Sequence, residues 1–147
     1  MGIKRSSEAK WDGSITGGKG NIKLGSGAFE GEYSFNSRFG DDIKATNPEE
    51  LIAGAHAACF SMALTAALGR GGYEPASVET KATVHLEKDG EGFSIPKIDL
   101  VTVAEVPNIT DDDFQKIAKA AKEGCPVSKV LTAAEISLDA TLKQGAR

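Results

Sequence analysis

Cys59 and Cys125 are the only cysteines in the chain, and a thiolate is the strongest nucleophile such a sequence can offer. Their settings differ. Cys59 lies inside a long apolar stretch, whereas Cys125 follows Gly124 and precedes Pro126, on a turn of the exposed type. A loop thiol facing a helical thiol from far along the chain suits a peroxidatic and resolving pair. It lacks the CxxC spacing of a dithiol oxidoreductase. The bland alternative for Cys59 is a small buried apolar side chain, the commonest fate of a free cysteine. Two cysteines are too few for structural zinc unless His56 and His85 join them, and those spacings match no zinc pattern.

A peroxidatic cysteine must ionise. At an unperturbed pKa near 8.5 only about 3% is thiolate at pH 7, and lowering the pKa to about 6 takes roughly 3.4 kcal/mol. The helix dipole does not supply it, because its field fades after the first turn and Cys59 falls in roughly the third or fourth. A cation at ~4 Å in an effective dielectric of ~20 supplies about 4 kcal/mol before desolvation is subtracted. The candidate is Arg38, in Asn36-Ser37-Arg38-Phe39-Gly40, a loop between sheet and helix; the plain alternative is a solvated surface arginine. Glu49 or Glu50 could hold that arginine, although Glu50 is first of all a capping residue. His56, three residues before Cys59, shares its helical face, which makes a Cys–His nucleophile pair conceivable. No orienting third residue presents itself, and a satisfied core histidine is the simpler reading. His85 reads as a structural strand residue. Trp11, Phe29, Tyr33, Phe35, Phe39 and Phe60 could line an apolar pocket, with core packing the default for each.

The elements that must position these residues are legible. Up to about Gly40, Gly-rich turns separate short strand-like runs, Asn21 to Leu24 and Glu32 to Phe35, as in a small antiparallel meander. Asn47-Pro48-Glu49-Glu50 opens a helix with an N-cap, a first-turn proline and a capping-box glutamate. The helix should run to about Leu68, where Gly69 and Gly71-Gly72 end it. Its interior is apolar on nearly every side, so it must be buried all round. A membrane span is the competing reading, but the alanines give little drive for insertion. After Pro75 a β-hairpin runs from Val78 to Leu86, turns around Asp89-Gly90, and returns from Phe93 to Val106. Thr110 caps a second helix with Phe114, Ile117, Ala118 and Ala121 on one face. Gly124 ends it, a short helix follows from Val127 to Leu131, and Ile136 to Leu142 alternate as a closing strand. The expected class is α+β, antiparallel sheets packed on two main helices, in a single domain over 1–147. One chain of 147 residues cannot easily surround an all-apolar helix, so a homodimer is expected.

Composition narrows the partners. With 40% apolar and 26% charged residues the chain should fold rather than stay disordered. A net charge of −4 and a pI near 5.2 leave no basic patch for nucleic acid or anionic lipid. The basic N-terminus has no apolar segment after it, so no signal peptide is expected and the cytoplasm is the default. Thiols are kept reduced there, which argues against a permanent disulfide staple.

Two ordered stretches carry a resemblance. Thr46-Asn47-Pro48-Glu49-Glu50-Leu51-Ile52 followed by Ala55-His56-Ala57-Ala58-Cys59-Phe60-Ser61-Met62-Ala63-Leu64, and then Gly124-Cys125-Pro126-Val127-Ser128-Lys129-Val130-Leu131, closely resemble the osmotically inducible protein C family. That family includes the organic hydroperoxide resistance proteins. The likeness extends from Lys10-Trp11-Asp12-Gly13 to Ile136-Ser137-Leu138-Asp139. It implies an intertwined homodimer with active sites at the subunit interface. It also implies reduction of organic hydroperoxides by Cys59, which then forms a disulfide with Cys125. Glu49 matches the motif glutamate and Arg38 the loop arginine of the osmotically inducible branch. The hydroperoxide-resistance branch carries its arginine earlier, where this chain has Gly17-Gly18-Lys19, and tends to have Tyr at position 56. The relatives suggest a dihydrolipoyl-type dithiol as reductant, and no metal or nucleotide cofactor is implied.

The rivals are a Cys59–His56 acyl transferase and a binding module with incidental cysteines. One geometric expectation follows from the helix itself. Glu49 and Cys59 are separated by about ten residues, hence about 15 Å along a straight helix and about 80° around it. Glu49 is therefore expected to serve the partner's site, unless the helix begins later than Pro48.

Overall fold

Turn residues and one glycine shape the first sheet. In the computed structural model, which describes residues 2–143, β1 (Ser7–Asp12), β2 (Lys19–Leu24) and β3 (Glu30–Tyr33) pair antiparallel in the order β1-β2-β3. Gly13 turns the chain after β1 at φ +96°, a conformation that favours glycine. Gly20 stands in register with both Trp11 and Tyr33. The Tyr33 ring lies across it, and a Cβ there would meet that ring at 2.3 Å. Trp11 and Tyr33 consequently meet with their centroids 5.5 Å apart.

Ser34 and Phe35, expected at the end of a strand, leave the sheet instead. Ser34 caps a one-turn helix, α1 (Phe35–Phe39), accepting from the Ser37 N–H at 3.0 Å, while Ser37 Oγ accepts from the Ser34 N–H at 2.8 Å. The stretch expected as a loop is thus a capped turn. It is tied forward, since the Ser37 hydroxyl donates to the Thr46 carbonyl at 2.7 Å and Asn47 Nδ2 donates to the Ser37 carbonyl at 3.0 Å.

The long helix α2 spans Pro48–Arg70 without interruption. Asn47 Oδ1 accepts from the Glu50 N–H at 2.7 Å, as an N-cap should. The reciprocal half of the expected capping box is not made, because the Glu50 carboxylate accepts from the Thr46 hydroxyl at 2.8 Å. The helix outlasts its expected end at Leu68 by two residues, and Tyr73 N then closes on the Leu68 carbonyl.

The chain divides after Leu51 into two compact units. In the second, β4 (Ser77–Asp89) and β5 (Gly92–Glu105) form the expected hairpin, with Gly90 at φ +62° in its turn. Helices α3 (Asp111–Gly124) and α4 (Pro126–Val130) follow, and β6 (Glu135–Lys143) closes the sheet in the order β4-β5-β6. The β5–β6 pair is parallel, where an all-antiparallel sheet was expected. The cause is the crossover: two helices carry the chain back before β6 starts. The α+β class stands.

The core of this unit is built from one stripe of α2, namely Phe60, Leu64 and Leu68. It meets Leu100, Ala104 and Val106 around β5 and Phe114, Ala118 and Ala121 on α3. Burying each of the larger side chains contributes about 1.5–3 kcal/mol. The helix is long and apolar enough to cross a membrane by length and composition, yet its largest side chains fill the protein's own core. Its outer stripe, with Ala55, Ala58, Met62 and Ala66, is exposed in the single chain.

Candidate active site

In the first unit, the capped turn of α1 and the first turn of α2 hold Arg38 against Glu49. Arg38 donates from Nε to Glu49 Oε1 at 2.9 Å and from Nη2 to Oε2 at 2.8 Å, a bidentate fork. Glu49 is largely buried, while the Arg38 side chain keeps about a third of its surface exposed. The hydrogen bond to Glu49 is the main cause that pushes the Arg38 pKa further up, so this arginine stays charged at any working pH. Its guanidinium also lies 5.2 Å from the centre of the Phe39 ring, which packs in turn on Phe35. Nη1 accepts no role in the fork, and no described residue takes a hydrogen bond from it.

In the second unit, α2 presents Cys59 and the α3–α4 junction presents Cys125. The backbone fixes Cys125 from both sides. Its N–H donates to the Ala121 carbonyl at 2.9 Å, ending α3, and its carbonyl accepts from the Lys129 N–H at 3.0 Å, starting α4. Pro126 suits the first position of α4. Cys125 is fully buried, against the expectation of an exposed turn, because the junction folds under the core rather than out to water. Cys59 is partly exposed, and both thiols are free. The sulfurs lie 3.0 Å apart, so an approach of about 1 Å would bring them to disulfide length.

Burial is the main cause that pushes the Cys59 thiol up, and its hydrogen bond with Cys125 adds to that. Burial opposes ionisation of Cys125 as well. There it is outweighed by the hydrogen bond shared with Cys59 and by the Ser128 and Val127 N–H groups and the Ser128 hydroxyl, which bring Cys125 below its ordinary value. The two N–H groups act as nearby dipoles, since no side-chain cap bond closes at Cys125. In the resting pair Cys125 is therefore the better thiolate.

His56 is fully buried and neutral, its pKa lowered by burial. Nε2 lies 2.8 Å from Ser128 Oγ, and Nδ1 has no partner among the described residues. The conceivable Cys59–His56 pair is thus not made, and the expected satisfied core histidine is only half satisfied. Ser128 escaped the reading of the sequence as a residue of its own. Its place three residues after Cys125 was the available signal, but its partner lies 72 positions away. His85 is structural as expected, bonding Asp99 at 2.7 Å. Of the aromatics, Phe60 is core and Trp11 pairs with Tyr33. Phe29 lines a cavity of about 390 Å³ in the first unit with Leu24, Ile43 and Leu51. The site residues are brought together as two pairs, Arg38 with Glu49 and Cys59 with Cys125.

The family model of the OsmC-like proteins matches residues 40–141, a stretch that contains Glu49 and both cysteines. The chain belongs to the OsmC-like family. Among its relatives, peroxiredoxin OsmC of Escherichia coli K12 is 49% identical over 144 residues, covering 97% of this chain and 99% of that protein. An organic hydroperoxide resistance protein-like protein of Staphylococcus aureus NCTC 8325 is 37% identical over 99 residues, 67% of this chain and 69% of its own. Solved structures of the same fold include an organic hydroperoxide resistance protein from Elizabethkingia anophelis, with a TM-score of 0.73 at 23% identity, covering 99% and 100% of the two chains. Another is OhrB of Bacillus subtilis, with a TM-score of 0.69 at 26% identity, covering 94% and 98%. The 49% identity to a peroxiredoxin over nearly the whole chain supports a thiol-dependent peroxidase.

Proposed function

We propose that this peroxidase reduces organic hydroperoxides through Cys59 as the attacking sulfur and Cys125 as the resolving one. The observation that carries the assignment is access. Two free sulfurs sit 3.0 Å apart, one partly exposed and the other fully buried, so an incoming hydroperoxide meets Cys59. The Cys59 thiolate attacks the distal peroxide oxygen, the O–O bond breaks, and the alkoxide takes a proton and leaves as alcohol. The sulfenic acid left on Cys59 condenses with Cys125, releasing water and forming a disulfide. An external dithiol of the lipoyl type then reduces that disulfide and is itself oxidised. The cycle needs a reducing compartment, and the cytoplasm is the one we assign.

Burial first, and then the neighbouring Cys125, oppose the Cys59 thiolate, so the attacking sulfur needs a cation. Arg38 is the proposed one, oriented by Glu49 through two bonds of its fork with Nη1 to spare. Since α2 does begin at Pro48 and runs on unbroken, the pair is proposed to act on the partner's Cys59 in a homodimer. The exposed small-residue stripe of α2 supports that assembly. The match to residues 40–141 crosses the boundary at Leu51, which supports treating both units as one functional domain. The acyl-transferase alternative finds less support, because His56 bonds Ser128 and makes no hydrogen bond with Cys59.

The test is consumption of cumene hydroperoxide with a dihydrolipoyl compound by wild type, Cys59→Ser and Cys125→Ser. Cys59→Ser should be inactive from the first turnover. Retained consumption in that variant would overturn the assignment of the attacking sulfur.

A further inference from the structure

The peroxidase cycle described so far leaves one buried group without a task. His56 and Ser128 face each other at 2.8 Å across the second unit, both excluded from water, beside the junction that holds Cys125. A buried imidazole with one nitrogen unpartnered is costly to keep for packing alone, because a polar atom taken out of water without a hydrogen bond is destabilising.

The tautomer follows from the contacts. Nδ1 meets no acceptor, so placing the proton there would bury an orphan N–H; with the proton on Nε2, only a lone pair is orphaned. His56 then donates to Ser128 Oγ, which makes that oxygen an acceptor and leaves its own proton to be donated elsewhere. Three residues back, at the N-cap of α4, stands Cys125, buried as Ser128 is. We propose that His56 and Ser128 form a relay that serves Cys125 rather than Cys59, holding its sulfur as the nucleophile that closes the disulfide and as the leaving group when it opens.

The inference rests on the cysteine roles proposed above. In closure, the Cys125 thiolate attacks the sulfenic sulfur of Cys59. The S–S bond forms, the S–O bond breaks, and hydroxide leaves as water with the proton that Cys125 had given up. In opening, a thiolate of the dithiol attacks Cys59, the accessible sulfur. Cys125 departs as thiolate, and in this scheme the Ser128 hydroxyl turns its proton to it. The second thiol of the dithiol then releases Cys59, and two electrons have passed from dithiol to protein. A fixed donor at the leaving sulfur helps both directions, since each passes through charge on Cys125. His56 and Ser128 are positioning residues in this scheme; neither touches the peroxide.

The experiment mixes reduced protein with one equivalent of cumene hydroperoxide and quenches over time. Sulfenate is trapped with dimedone and disulfide is counted by mass spectrometry. Ser128→Ala should form sulfenate within about twofold of the wild-type rate but close the disulfide about tenfold more slowly, as expected for losing a hydrogen bond to a charged group. Ser128→Thr, which keeps the hydroxyl, should recover most of the closure rate. His56→Phe should slow closure as Ser128→Ala does, and the double variant should be no slower than either single one, since the two act as a unit. Closure at the wild-type rate in Ser128→Ala overturns the relay, and so does a Ser128→Thr variant as slow as Ser128→Ala, which would point to packing instead. The cysteine roles are tested separately by the wild type. If it forms no Cys59–Cys125 disulfide, they fail before any variant is made, and the relay falls with them.

Discussion

Each of the two cysteines depends on the other's position more than on its own reactivity. Cys125→Ser removes the chain's one other cysteine, whose sulfur lies 3.0 Å from that of Cys59. The variant should complete one turnover, then lose steady-state activity by about tenfold or more, with Cys59 gaining one or two oxygens by mass. Undiminished turnover would show that resolution does not need Cys125. Arg38 is proposed to bear on the first step. Arg38→Ala should slow iodoacetamide alkylation of Cys59 at pH 7 by about tenfold, the effect of a rise of about one unit in pKa. Glu49→Gln should follow in the same direction but by less, because it loosens the fork and leaves the charge. An unchanged alkylation rate in Arg38→Ala would remove the arginine from the thiolate's surroundings. At this scale the two pairs, Arg38 with Glu49 and Cys59 with Cys125, join residues that each stand in a local pattern of the sequence. Ser128 was not legible there, and neither was the burial of Cys125, since both depend on how α3 and α4 fold against residues distant in sequence.

Among the elements, the second sheet is stitched by one carboxylate. Asp99, in the middle of β5, takes a hydrogen bond from Ser137 on β6 and another from His85 on β4, with Lys97 nearby. The Ser137 bond first, then His85, holds its pKa down to about 2. A carboxylate depressed in the folded state stabilises above its unfolded pKa, about 3.9, and loses that contribution as pH falls towards the folded value. Wild-type urea midpoints should therefore drop between about pH 4 and pH 2 more steeply than those of Asp99→Asn. Parallel slopes in the two proteins would mean the carboxylate does not couple the strands. The capped helices and the hairpin could be read directly, because Asn47, Thr110 and Gly90 act within a few residues. Three features could not. β1 is almost wholly exposed and shows no apolar alternation; α1 is capped by a Ser34–Ser37 exchange that lacks the usual glutamate; and a strand's own residues do not reveal that it will lie parallel to its neighbour.

For the whole molecule the open question is what covers the outer stripe of α2. Ala55, Ala58, Met62 and Ala66 are exposed in one chain, and an apolar helix face in water favours association. Sedimentation at low micromolar concentration should find twice the chain mass of 15.3 kDa; a folded, fully active single chain would overturn the dimer. If Arg38 and Glu49 serve the partner's sulfur, mixing inactive Cys59→Ser with inactive Glu49→Ala should restore about one working site per heterodimer. A mixture as inactive as its parents, after subunit exchange has been demonstrated, would place the pair in its own chain's site.

Cys125 belongs to two helices at once. Its N–H is the last bond of α3 and its carbonyl receives the first bond of α4, so a sulfur that moves about 1 Å to join Cys59 pulls on both. If the proposed disulfide forms, oxidation would register in the main chain as well as in a covalent bond. Amide hydrogen exchange at Cys125 and Lys129 should differ between the dithiol and disulfide forms, while the middle of β5 exchanges alike in both. The main chain at this junction would then act as a gauge of the enzyme's oxidation state, one that a partner protein could sense without touching either sulfur.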